Sequence, residues 1–254
     1  MKLAVCGKGG VGKTFVAGTL AEHVARAGNP VLAIDADSSP NLGRTLGLSQ
    51  DEILRIVPVA ENQDLIRLKT GTDYSGVFRL TFTVDDIIAD YAVRTPAGPG
   101  LLVMGTVKAM GSGCTCPAHS VIKALMRHLV VERGEVVILD MEAGIEHLGR
   151  GTAEHVDTLL VITDANLKSR ETAATIIRIA RGSSVRDIRV IGNRITGERD
   201  STIIRSFAEE NNVPLAALVP YDPFVADAGV TGDPAGPSPA TEALSRLAQD
   251  LVPR

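Results

Sequence analysis

Gly7-Lys8-Gly9-Gly10-Val11-Gly12-Lys13-Thr14 follows a short apolar run, Leu3 to Cys6, and opens into an amphipathic helical pattern. Glycines carry no Cβ, so those at 7, 9, 10 and 12 let the backbone curl until several N–H groups point into one concavity at a helix N-terminus. Fixed partial positive charge there favours phosphate. Lys13 brings a full charge to the terminal phosphates, and Thr14 a hydroxyl for Mg²⁺. Residues 7–14 meet G-x-x-x-x-G-K-[ST] in full, between a strand and a helix as that pattern requires. The residues expected to line a nucleotide's phosphates are Gly9, Gly10, Val11, Gly12, Lys13, Thr14 and Phe15.

Outward from the loop, Val16, Leu20 and Val24 recur at helical spacing until Gly28, a C-terminal stop. Val31 to Ile34 forms a second buried strand ending at Asp35-Ala36-Asp37, and two apolar strands joined by one helix imply a parallel βαβ unit. Residues 38–100 are less regular, with short helices expected near Asp51 to Ile56 and Asp64 to Lys69 and a Pro/Gly linker at Thr95 to Gly100. The sheet resumes at Leu101 to Met104. After a turn-rich segment and a helix from about Val121 to Val131 comes Glu135 to Asp140, the clearest buried strand. Strand and helix patterns then alternate: Thr158 to Ile162, Ser169 to Ala180, Asp187 to Gly192, Thr202 to Glu210, Leu215 to Val219, a loop at Gly232 to Pro239, and a helix from about Ala240 to Leu251. The expected fold is α/β: a doubly wound, mainly parallel sheet with helices on both faces, a P-loop NTPase in a single domain over residues 1–254.

With 254 residues, 44% hydrophobic and 22% charged, the chain is long enough for one substantial core. A formal charge of -4 argues against nucleic-acid binding by the molecule as a whole. Arg178, Arg181, Arg186, Arg189, Arg194, Arg199 and Arg205 are interleaved with Asp187, Glu198 and Asp200, a mixed solvated surface rather than a DNA-facing patch. The four-residue apolar run before the glycines is too short for a signal peptide or a spanning helix, and the final helix, with Leu244, Leu247 and Leu251 at core spacing, carries little basic charge. A cytoplasmic location without membrane contact is expected.

Asp140 ends its strand where a second nucleotide-site motif places a carboxylate on Mg²⁺, directly or through water. Gly144 follows closely enough to bring a backbone N–H near the γ-phosphate. Asp35 and Asp37, two residues apart, share one side of an extended chain, and acids beside phosphates repel unless a cation intervenes. Asn193, after the strand Asp187 to Gly192, has a carboxamide that matches the N6 and N7 edge of adenine, and Pro220 with Tyr221 could wall the same pocket. Thr196 stands where an N-K-x-D pattern would need aspartate for guanine, so ATP is expected over GTP.

Cys114 and Cys116 lie one residue apart. On an extended strand such positions are roughly 6.8 Å apart, whereas two thiolates on one tetrahedral zinc lie about 3.8 Å apart. Gly111, Gly113 and Pro117 permit the bend that chelation needs. Two thiolates fill half a tetrahedral shell, and a two-fold dimer with both pairs at its axis would close it. Zn²⁺, Ni²⁺ and an Fe–S cluster all suit four thiolates. Cys6, at the end of a buried strand, reads as core packing, and His119 as a solvated loop histidine.

Lys8 makes the loop resemble the deviant K-G-G-x-G-K-[ST] form of the family containing MinD, ParA, the nitrogenase iron protein and metallocentre-maturation ATPases. The resemblance implies that Lys8 reaches the nucleotide of the facing subunit in a homodimer, that Asp37 orients the attacking water, and that Asp35 helps hold the Mg²⁺ shell. With C-x-C and the run Asp140-Met141-Glu142-Ala143-Gly144-Ile145-Glu146-His147-Leu148-Gly149-Arg150-Gly151, the chain resembles the CooC-type nickel-insertion ATPases that mature carbon monoxide dehydrogenase. This implies ATP hydrolysis to ADP and phosphate, catalysis by Lys8, Lys13 and Asp37, and delivery of Ni²⁺ to such a client. Phe15 departs from the second threonine of many relatives. The alternatives are a [4Fe–4S] reductase similar to the nitrogenase iron protein and a positioning ATPase similar to MinD or ParA.

Overall fold

The computed structural model describes residues 1–37, 39–72, 77, 79, 82–105, 120–122, 124–125, 127–128, 135–141, 156–183 and 185–252, with Asp85 as backbone only. Among the described residues eight strands form one sheet: β1 (Lys2–Gly7), β2 (Val31–Ala36), β3 (Val93–Arg94), β4 (Gly100–Val103), β5 (Val136–Met141), β6 (Thr158–Thr163), β7 (Asp187–Ile195) and β8 (Leu215–Pro220). Their order is β3-β4-β2-β5-β1-β6-β7-β8, parallel throughout except where β3 pairs antiparallel with β4.

Two separate apolar clusters show that both faces are covered, and residues of one strand alternate between them as the two-residue period of a strand requires. Leu3, Val5, Ala33 and Ile138 face the cluster containing helix α1 (Lys13–Arg26). Ala4, Cys6, Ile34 and Leu139 face the other. The alternation carries Asp35 and Asp140 to the α1 side, and they are register partners across β2 and β5. The chain runs outward from β1 to β2 and β4, returns to insert β5 between β2 and β1, then continues to β6 on the opposite side of β1. Strand order reverses around β1, where sheets of this type bind ligands at their carboxyl ends.

Further helices among the described residues are α2 (Leu42–Thr45), α3 (Gln50–Arg55), α4 (Gln63–Thr70), α5 (Asp85–Tyr91), α6 (Leu167–Arg181), α7 (Glu198–Glu210), α8 (Pro223–Thr231) and α9 (Pro239–Leu251). The described residues between 120 and 128 are helical, where a helix is expected from about Val121; its expected end near Val131 lies outside the described residues. Helix α1 ends as its sequence indicates, at Gly28 with φ +93°. Five features depart from expectation. Residues 95–100 turn the β3–β4 hairpin and are no linker, α5 precedes it, and β7 runs three residues past Gly192 to Ile195. Helix α8 fills a stretch with no helical periodicity, because none of its residues is buried. Pro239, expected in the loop, is the first residue of α9, where its missing N–H costs nothing.

Candidate nucleotide site

The loop from β1 to α1 closes on itself through backbone: Val11 N–H donates to Lys8 O at 3.3 Å, and Val16 N–H to Gly12 O at 3.1 Å. Gly12 is the N-cap of α1 at φ +99°, a left-handed conformation that side chains resist. Lys13 and Lys8 diverge. Lys13 is 6% exposed, its Nζ 3.5 Å from Lys8 O, so the ammonium folds back over the loop, whereas Lys8 is exposed on the rim. Gly9 and Gly10 are exposed and Val11 is buried, while Thr14 and Phe15 are half-buried at the first turn of α1.

Asp140 lies at the floor of this site. It is fully buried, and among the described residues neither carboxylate oxygen has a hydrogen-bond partner. Burial pushes its carboxyl up to about 7, assisted by the negative charges of Asp35 and Asp37 and opposed by the Thr14 hydroxyl and Lys13. Asp35, also fully buried, is raised to about 6 by burial, but it is satisfied: Leu42 N–H donates to it at 2.8 Å and Asp37 N–H at 3.2 Å. Asp37 accepts from Ser39 N–H at 2.9 Å, the turn chemistry of a strand end. A buried carboxylate without hydrogen bonds is costly unless a cation balances it. Asp140, beside the Thr14 hydroxyl, has the hard oxygen donors that Mg²⁺ takes, with water completing the shell. Among the described residues no three His, Cys, Asp or Glu side chains form a metal-binding group.

Asn193 is brought 182 residues along the chain to the phosphate loop, where its Nδ2 donates to Val11 O at 2.8 Å. Pro220 ends β8, and Tyr221 is half exposed with its N–H bonded to Ile195 O. A cleft of about 390 Å³ runs from Thr14 and Phe15 beneath α8, bounded by Arg44, Val225, Ala228 and Asp233. Pro220 and Tyr221 do not line it. Its α8 wall was missed in the sequence because α8 was missed, although Asp222-Pro223 at the start and Gly232 at φ +81° after the end are cap signals. Cys6 is buried with its thiol pushed up to about 12 by burial, and it donates to Leu160 O, so it packs as expected. Cys114, Cys116, His119 and Gly144 lie outside the described residues. Among the described residues no helix is long and apolar enough to cross a membrane.

The family model of the CobQ/CobB/MinD/ParA nucleotide binding domain matches residues 3–235. The carbon monoxide dehydrogenase accessory protein CooC of Rhodospirillum rubrum is 39% identical over 91% of this chain and 88% of its own. An uncharacterized ATP-binding protein of Methanocaldococcus jannaschii is 38% identical over 92% of this chain and 90% of its own. Among solved structures, the MinD cell division protein of Aquifex aeolicus superposes with a TM-score of 0.70 at 23% identity, covering 98% of this chain and 95% of its own. At that identity the likeness is one of fold. With the phosphate loop at the end of β1 and the buried acids of β2 and β5 beside it, the chain belongs to the CobQ/CobB/MinD/ParA nucleotide-binding family and is an ATPase.

Proposed function

We propose that this ATPase is a metallocentre-maturation factor of the CooC type, which couples ATP-driven closure of a homodimer to the carriage of Ni²⁺ toward a carbon monoxide dehydrogenase-type client. The observation that carries this reading is the 39% identity to CooC across nine-tenths of the chain. The paired Cys114 and Cys116 support it, because two pairs brought to a two-fold axis supply the four thiolates of a closed tetrahedral site for Ni²⁺ or Zn²⁺ cargo. A reducing cytoplasm keeps such cysteines as thiols.

In this reading the backbone N–H groups of residues 9–15 cradle the phosphates, and Lys13 neutralises the β- and γ-oxygens. Thr14 and Asp140, with Asp35 through water, are the residues that would hold Mg²⁺, which supplies charge neutralisation at the transferring phosphoryl group. Asp37 orients the attacking water, and Gly144 offers a backbone N–H to the γ-phosphate. The exposed Lys8 enters the partner's site on closure, so hydrolysis proceeds only in the dimer. A cation supplied in trans is worth about 10³ to 10⁵ in rate. Lys8→Ala should therefore retain ATP affinity and lose turnover on that scale in a steady-state phosphate-release assay. Unchanged turnover would remove the trans role. The double variant C114A/C116A should lose nickel and zinc uptake by elemental analysis while binding ATP normally. Full metal occupancy in that variant would overturn the assignment of the cysteines.

A further inference from the structure

Asn193 is only 5% exposed, and among the described residues its side chain makes one hydrogen bond, from Nδ2 to the carbonyl of Val11 inside the phosphate loop. Three features place it there. The register of β7 against β8 breaks between Gly192 and Ile195, and Arg194 within that break has φ +57°, a left-handed conformation uncommon away from glycine. Such bulges re-aim side chains. Gly12 has no Cβ, and one added there would overlap the Asn193 amide. The loop and the end of β7 are therefore fitted to each other through this single side chain.

A carboxamide carries two N–H bonds and a carbonyl oxygen. With one N–H on Val11 O, the other N–H and Oδ1 are the pair that matches the N7 and N6 edge of adenine. We propose that Asn193 is a positioning residue for the phosphate loop, joining Val11 to the edge of the nucleobase, so that base recognition and loop geometry are set by one group. This rests on the nucleotide reading of the site, and it extends Asn193 from a reader of the base to a holder of the loop. Aspartate here would offer no N–H to either partner.

The test is calorimetric titration of wild type and Asn193→Ala with two probes in the presence of Mg²⁺: ATP, and inorganic tripolyphosphate, which touches the loop and has no base. The expected result is that Asn193→Ala weakens tripolyphosphate by roughly fivefold, the worth of one hydrogen bond, and weakens ATP by more. Tripolyphosphate affinity unchanged while ATP affinity falls would overturn the loop-holding role and leave the nucleotide reading intact. Wild type that binds neither probe would overturn both. Asn193→Leu keeps the branched shape without the N–H and gives the same readout if the alanine variant does not fold.

Discussion

The ends of β2 and β5 present the same residue in the same row of the sheet, and the two aspartates live differently. Asp35 and Asp140 are register partners, both fully buried, both turned toward α1. Asp35 takes two backbone N–H groups, one of them from the first residue of α2, and so shapes the chain that follows it. Asp140 takes none among the described residues, although the Thr14 hydroxyl and Lys13 ease its charge. A carboxylate built into hydrogen bonds is structural first. One without them suits a cation, as the proposed function has it for Asp140, and its cost to the ligand-free fold would then be offset on binding.

Substituting each aspartate by asparagine separates the two roles. Asp140→Asn should lower Mg²⁺-dependent hydrolysis by on the order of 10² to 10³, the scale of losing one preorganised electrostatic group. In the absence of ligand, at pH 8, the same variant should melt at a higher temperature than wild type, because an uncompensated buried charge is gone. A lower melting temperature would show that Asp140 is satisfied in solution and would erase the contrast. Asp35→Asn should act in the opposite sense on stability, costing about 1–3 kcal/mol in denaturant unfolding because an amide cannot accept both backbone N–H groups as a carboxylate does. Its effect on hydrolysis should be smaller than that of Asp140→Asn.

The last effect is the pH dependence. Burial raises both carboxyls above 3.8, Asp35 to about 6 and Asp140 to about 7. The unfolded chain releases these protons near the ordinary value, so between about pH 4 and 7 the folded chain holds more protons than the unfolded one. Stability from these groups therefore falls as pH rises through that window and levels off above it. Melting curves of the ligand-free protein should show this decline, and Asp140→Asn should flatten its upper half. An unchanged slope in the variant would place the titration elsewhere.

The positions of these acids were legible in the sequence, because an apolar run ending in aspartate marks a strand end and the two-residue alternation assigns its face. Their partners were not. Asp35 is bonded by Leu42, seven residues on, at the start of a four-residue helix too short to show periodicity. Asn193 was legible as a strand-end residue, but the bulge that turns it into the phosphate loop shows only in the structure, in the register break after Gly192 and the left-handed φ of Arg194. Helix α8 has no apolar periodicity since it buries no residue, although its caps are written in Asp222, Pro223 and Gly232. The site is local where glycines and one lysine define it. It is non-local wherever a side chain from a distant strand completes it.

The most direct measurement is equilibrium binding of Ni²⁺ with ADP or ATP present, with molecular mass followed by sedimentation in parallel. ATP should yield a two-chain species holding one metal ion bound by thiolates, and ADP should yield weaker metal retention. A single chain with free thiols in saturating ATP and nickel would contradict the account.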